Sequence, residues 1–210
     1  MIRVPPGDND LAKLCEADRI AEDVVAGRVG LAEGYAALRA LDRPPLRREK
    51  IVLALAFGLA SASVAGLLRL PWLDIGTAGL IGLLVGVVDW VSATRPRLRE
   101  ANEAISAMLA ATVAILVAKF VGPLNLNTVV IAALIVLMPG MSLTNAVNEL
   151  TSQNLISGTA RFAGAISTML KLTVGTMIAL TAAQVLGVDP QVRALRPQPA
   201  LVEWGALLAG

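Results

Sequence analysis

Histidine is missing from the 210 residues and cysteine occurs once, at Cys15. Without an imidazole, neither that thiol nor a serine has its usual activating base, and no group of acidic, Cys or His residues shows metal-ligand spacing. An enzyme is therefore not expected, and neither a metal nor another cofactor. Paired-aspartate proteolysis is disfavoured too, because Asp74 and Asp89 stand at opposite ends of one apolar segment. A lone cysteine makes no internal disulfide, and Cys15 is expected as a small buried hydrophobe in a reducing compartment. Charge is scarce at 16% of residues, and aromatics at 3%. The basic residues gather at segment ends rather than forming a stripe interleaved with aromatics, so the net charge of +2 points to no nucleic-acid partner. The opening residues MIRVPPGDND hold no apolar h-region, so a chain that keeps its N-terminus is expected.

What is abundant is apolar surface. Hydrophobic residues make up 56% of the chain and mean hydropathy is +0.69, too high for a typical soluble domain of this length. A hydrocarbon core of about 30 Å needs about 20 apolar residues in a helix, and five runs approach that length: residues 51–68, 72–91, 105–121, 127–138 and 162–186. The fourth is too short to cross alone. The expected fold is all-α and polytopic, with about five transmembrane helices, one broken at a Pro-Gly, behind a short cytoplasmic helical segment. Arg47, Arg48 and Lys50 precede the first run, and Arg95, Arg97 and Arg99 lie between the second and third. The first hairpin carries only Arg69 and the loop GPLNLN no charge, which places the N-terminus in the cytoplasm. Arg193 and Arg196 would then lie on the far side, against the rule.

The expected organisation is a cytoplasmic helical segment over residues 1–48, a transmembrane domain over 49–188 and a linker over 189–210. In the first, Leu14, Ala17, Ala21 and Val24 recur at helical spacing, as do Leu31, Tyr35 and Leu38 before Pro44 and Pro45 stop the second helix. Two short helices bury too little to fold alone, so this segment reads as the tail of a larger domain. After Pro197 and Pro199 the run LVEWGALLAG starts a new apolar stretch, read as the beginning of a second half. Within the membrane part, Gly58, Ala62 and Gly66, and Gly82 and Gly86, have the spacing of close helix packing.

Residues 139–165 interrupt the apolar pattern with hydroxyls and amides, which a membrane helix tolerates only where protein or water replaces lipid. Pro139 and Gly140 break the chain and Ser142 is placed to cap the helix that follows. In that helix Leu143, Ala146, Val147 and Leu150 form an apolar stripe, opposite Thr144, Asn145, Asn148, Glu149 and Ser152. The exposed helix start suits a substrate carboxylate, and Glu149 suits a substrate ammonium or a proton. The competing reading is an interfacial amphipathic helix in a cytoplasmic loop. Downstream, Gly164, Ser167, Thr168, Lys171 and Gly175 share one side of the last helix. Counted from Phe162, Lys171 falls about 14 Å into the layer, where it needs a partner such as Glu149 or Asp89 unless it snorkels outward. Arg161 reads as a cytoplasmic-end anchor or an anion ligand.

The run PGMSLTNAVNELTSQNLISGTAR, Pro139 to Arg161, resembles the signature of the threonine/serine exporter family, and the likeness extends from about Leu11 to Val188. Pro139, Gly140, Thr144, Asn145, Glu149, Ser157, Gly158 and Arg161 match the motif, with Glu149 where an aspartate is usual. The resemblance implies five membrane helices behind a cytoplasmic domain, completed by a second five-helix half, fused or separate. It implies export of threonine and serine, and the expected location is the inner membrane; with no P-loop in the sequence, the proton gradient is the expected energy source. Dicarboxylate export and a noncatalytic assembly subunit are the alternatives. The expected substrate-binding set is Ser142, Thr144, Asn145, Asn148, Glu149, Arg161 and Lys171. The expected partners are a small-molecule substrate, membrane lipid, the second half and further copies of the chain.

Overall fold

Out of water a backbone must satisfy its own donors and acceptors, and a helix does so within one segment. The structure, a computed structural model, describes residues 11–41, 47–93 and 95–193. Its regular elements there are helical: α1 (Leu11–Val25), α2 (Leu31–Ala40), α3 (Arg47–Leu67), α4 (Trp72–Ser92), α5 (Pro96–Glu100), α6 (Asn102–Phe120), α7 (Leu126–Leu134), α8 (Gly140–Thr151) and α9 (Leu155–Val185). A 3₁₀ turn, Ile135–Leu137, extends α7. The chain divides into two units, Met1–Glu49 and Lys50–Gly210. Pro44 and Pro45, the linker prolines and the run from Leu201 lie outside the described residues.

In the first unit α1 packs on α2 around Ile20 and Gly34, where a β-carbon at position 34 would sit 2.3 Å from Val24 Cγ2. The turn between them passes through Gly27 at φ +71°, and an Arg28–Asp23 ion pair of 2.7 Å spans it. The contact face is rotated from the expected stripes: Leu14, Leu31 and Tyr35 are exposed. Cys15 is exposed as well, which overturns the buried reading. At 3.6 residues per turn it lies nearly opposite the face that Ile20 and Val24 turn toward α2.

In the second unit, α3, α4, α6 and α9 are each long and apolar enough to cross a membrane. The fourth apolar run, short on its own, belongs to a bent pair in which α7 with its 3₁₀ turn meets α8 at 62°. The bend follows from chemistry, since Pro139 offers no amide and its φ of −79° and ψ of 49° leave the helical path. The all-α, polytopic fold expected from the sequence is thus present, with the break where Pro-Gly predicts it. α6 packs on α4, α7 and α9, and α8 packs on α9.

Small residues set the spacing. Gly82 and Gly86 of α4 meet Phe57, Ser61 and Ala54 of α3 so closely that a β-carbon at position 86 would lie 2.7 Å from Ala54 Cα. Buried Ser61 bridges onward, donating to the Ala133 carbonyl of α7 at 3.1 Å. Gly66, expected in the same contact, is exposed with nothing within 4 Å of a β-carbon there. On α9, Gly175 meets the Ala104 carbonyl of α6, whereas Gly164 and Ser167 face outward, so the seam follows Ala165, Leu172, Gly175 and Ala179 instead.

Candidate substrate site

The break at Pro139 turns the chain into α8, and a three-residue turn then reverses it into α9. Gln153 takes a φ of +63°, while the amides of Gln153 and Asn154 close on the carbonyls of Leu150 and Glu149 at 3.1 and 2.9 Å. The reversal brings the two halves of the motif together. Gly158 is the contact point, since a β-carbon there would stand 2.8 Å from Leu150 Cγ and 3.0 Å from the Leu150 amide nitrogen. Close approach lets side chains eight and twelve residues apart meet across the hairpin.

Three of them do. Arg161 Nε donates to Glu149 Oε1 at 3.0 Å, and Ser157 Oγ donates to Glu149 Oε2, so both carboxylate oxygens are engaged. The side chains of Arg161 and Glu149 keep 32% and 25% of their exposure, which leaves the pair within reach of a ligand. Glu149 and Ser157 line an open pocket of about 680 Å³ with Gln153, Asn154, Leu155 and Ile156. A carboxylate, a guanidinium, a hydroxyl and amides are the groups an ammonium, a carboxylate and a small polar side chain require.

The remaining expected residues stand elsewhere. α8 begins at Gly140 with Pro139 in the cap position and no side-chain cap bond, so Ser142 lies inside the first turn and is not the cap. Thr144 returns its hydroxyl to the Gly140 carbonyl at 3.0 Å. The helix start is about 13 Å along the axis from Glu149, too far for one α-amino acid to touch both. The apolar stripe is rotated: Ala146 is buried and Asn145 and Glu149 half-buried, while Val147 is exposed beside Thr144 and Asn148. Gly158 causes this, because it draws the Ala146–Leu150 edge of α8 onto α9.

Lys171 is paired with neither Glu149 nor Asp89. Its Nζ donates to the Glu100 carbonyl at 3.0 Å and stands 3.4 Å from Glu103 Oε2, at the start of α6. The depth counted from Phe162 misleads because α9 begins at Leu155 and runs 31 residues, about 46 Å, longer than a hydrocarbon core. Lys171 therefore sits level with the polar end of α6. Asp89 accepts from Asn102 Nδ2 at 2.9 Å near that same end.

Sequence reasoning quoted Ser157 without giving it a role, and its position one hairpin turn from Glu149 was the available signal. It also passed over a second polar cluster. Asp74 in the first turn of α4 is fully buried; its Oδ2 accepts from the Asn125 amide at 3.1 Å and from Asn125 Nδ2 at 2.7 Å, and Arg193 Nη1 stands 3.7 Å from Oδ1. Arg193, the residue that broke the charge rule, has a buried counter-ion. A second cavity, about 390 Å³ between α6, α7 and α9, is lined by Leu126, Val130, Leu134, Leu172, Thr176 and Leu180 among others and carries no charged residue.

With the hairpin in place, the motif has a sequence-wide counterpart. The family model described as "Putative threonine/serine exporter" matches residues 1–183. This chain belongs to the threonine/serine exporter family. No curated protein and no solved structure matches it. Membership and the apolar helices together make it a multi-pass membrane protein of an export family. The α8–α9 hairpin thus sets a polar cluster beside a broken span, and the cavity between α6, α7 and α9 offers no charged group.

Proposed function

We propose that the chain is one half of a proton-coupled secondary exporter that carries threonine and serine out through the inner membrane, with its N-terminus cytoplasmic. The observation that carries this reading is the Glu149–Arg161–Ser157 cluster at the mouth of an open pocket. An α-amino acid zwitterion holds an ammonium and a carboxylate on one carbon. Inserted into the ion pair, it replaces one contact with two: Glu149 takes the ammonium and Arg161 the carboxylate, while Ser157, Gln153 and Asn154 face the substrate hydroxyl. Glu149 is also the proton-sensitive group, because it is the carboxylate of the cluster and its partner must leave it when substrate binds. The sequence has no P-loop, which favours an ion gradient as the energy source, and the proton is the ion that Glu149 suits.

The arginine-rich α4–α6 connection is read as cytoplasmic, which places the Glu149 cluster toward the inner face and Asp74 toward the outer. A second five-helix half, fused or separate, completes the pathway, and a dicarboxylate would meet Glu149 as a like charge. Flux of labelled threonine, serine and succinate in proteoliposomes holding both halves, with and without an imposed pH gradient, tests the reading. Gradient-dependent movement of threonine or serine supports it, whereas movement of succinate alone overturns it in favour of dicarboxylates. No movement of any of the three overturns it in favour of an assembly role.

A further inference from the structure

The cluster at the other end of the helices has unused chemistry. Asp74 is fully buried, yet Oδ1 has no hydrogen-bond donor, although both Asn125 donors converge on Oδ2. Arg193 faces that bare oxygen at 3.7 Å, close enough for charge attraction and too far for a hydrogen bond. A buried carboxylate oxygen without a donor is rare in folded proteins and calls for an explanation. Thr77, one turn along α4, cannot supply the donor, since its hydroxyl is spent on the Leu73 carbonyl at 2.7 Å.

The surroundings are held firmly. Leu124 pairs with the segment after α9 as an isolated bridge to Val192, its amide donating to the Gln191 carbonyl and its carbonyl accepting from the Arg193 amide at 2.9 Å. The Gln191 amide reaches the Ala118 carbonyl at 3.2 Å. Backbone bonds thus fix the Arg193 main chain beside Asn125, while its side chain, 36% exposed, is the part free to swing.

We propose that Asp74, Asn125 and Arg193 form a second substrate site, the last to hold the amino acid before release. The inference rests on the amino-acid export reading. It gives the bare Oδ1 its missing donor: the substrate ammonium enters between Asp74 and Arg193 and donates to Oδ1, while the guanidinium swings to the substrate carboxylate. The class of ligand follows from the geometry, since opposite charges 3.7 Å apart match a zwitterion and would repel one end of a dicarboxylate. The site repeats the acid–arginine pairing of Glu149 and Arg161 at the opposite end of the bundle.

Right-side-out vesicles carrying the complete exporter and loaded with labelled threonine test this, with efflux read while unlabelled compounds are added outside. In the wild type, outside threonine should alter efflux at a concentration at least about tenfold below that needed for 3-hydroxybutyrate, which lacks the ammonium, or 1-amino-2-propanol, which lacks the carboxylate. Asp74→Asn should raise the half-effective outside concentration of threonine on the order of tenfold and abolish discrimination against 3-hydroxybutyrate. Arg193→Gln should do the same for 1-amino-2-propanol. If Asp74→Asn fails to accumulate, Arg193→Gln decides alone. Unchanged outside affinity and discrimination in the variants overturn the second site while threonine export stands; absence of threonine efflux from the wild type overturns the export reading and the site with it.

Discussion

Asp74 and Glu149 are both carboxylates facing an arginine, yet water reaches one and not the other. Glu149 is a quarter exposed and has a donor on each oxygen, supplied by a neighbouring helix in a hairpin that its own sequence motif builds. Asp74 is sealed, has both Asn125 donors on one oxygen, and faces an arginine that arrives from a segment more than a hundred residues away. The same pair of residue types therefore behaves as a solvated contact at one end and, until a ligand takes the place of Arg193, as an expensive buried charge at the other. Removing a partner should be tolerated at the first end and resisted at the second.

The largest effect is expected at the sealed end. Asn125→Leu removes a 2.7 Å donor from a buried carboxylate and should destabilise the protein by about 2–3 kcal/mol, seen as a lower melting temperature in detergent. A melting temperature equal to wild type would show that the Asn125 bonds do not hold Asp74 and would dissolve the contrast. Next comes Gly158→Ala, whose new β-carbon meets Leu150 and forces α8 away from α9. About 1–2 kcal/mol is expected, together with loss of threonine flux as the Glu149–Arg161 pair opens. Flux at the wild-type rate in that variant would separate transport from the hairpin geometry.

Smaller effects sharpen the comparison. Arg161→Ala leaves Glu149 able to relax into water, so stability should fall by no more than about 1 kcal/mol in the same melting assay, while threonine flux drops. Lys171→Met should be the mildest. Its Nζ is bonded to the Glu100 carbonyl and Glu103 at the end of α6, half-exposed, and about 0.5 kcal/mol is expected with threonine flux unchanged. A large loss of flux would return Lys171 to the substrate site.

Local chemistry made much of this legible in the sequence. Pro139 and Gly140 marked the break because a missing amide is a property of the residue itself, and four apolar runs became spans because length and composition suffice for that. The motif placed Glu149 and Arg161 in one short stretch, so their meeting needed only a turn. Rotation and depth were harder to read. Val147 and Asn145 exchange faces because Gly158, on another helix, decides which edge of α8 comes close, and Lys171 moves to the α6 end because α9 starts earlier than its apolar pattern. Asp74 was invisible as a site because its partners, Asn125 and Arg193, come from distant loops whose approach is set by tertiary packing. The misfit of Arg193 to the charge rule was the single trace of it.

The measurement that bears most directly on the proposed mechanism is threonine flux through Glu149→Gln in proteoliposomes holding both halves, with and without a pH gradient. The glutamine keeps the size and the Ser157 contact but cannot carry a proton. Threonine movement that no longer responds to the gradient, in protein inserted at wild-type levels, is the predicted result. Gradient-driven flux equal to wild type would contradict it and remove Glu149 from the coupling step.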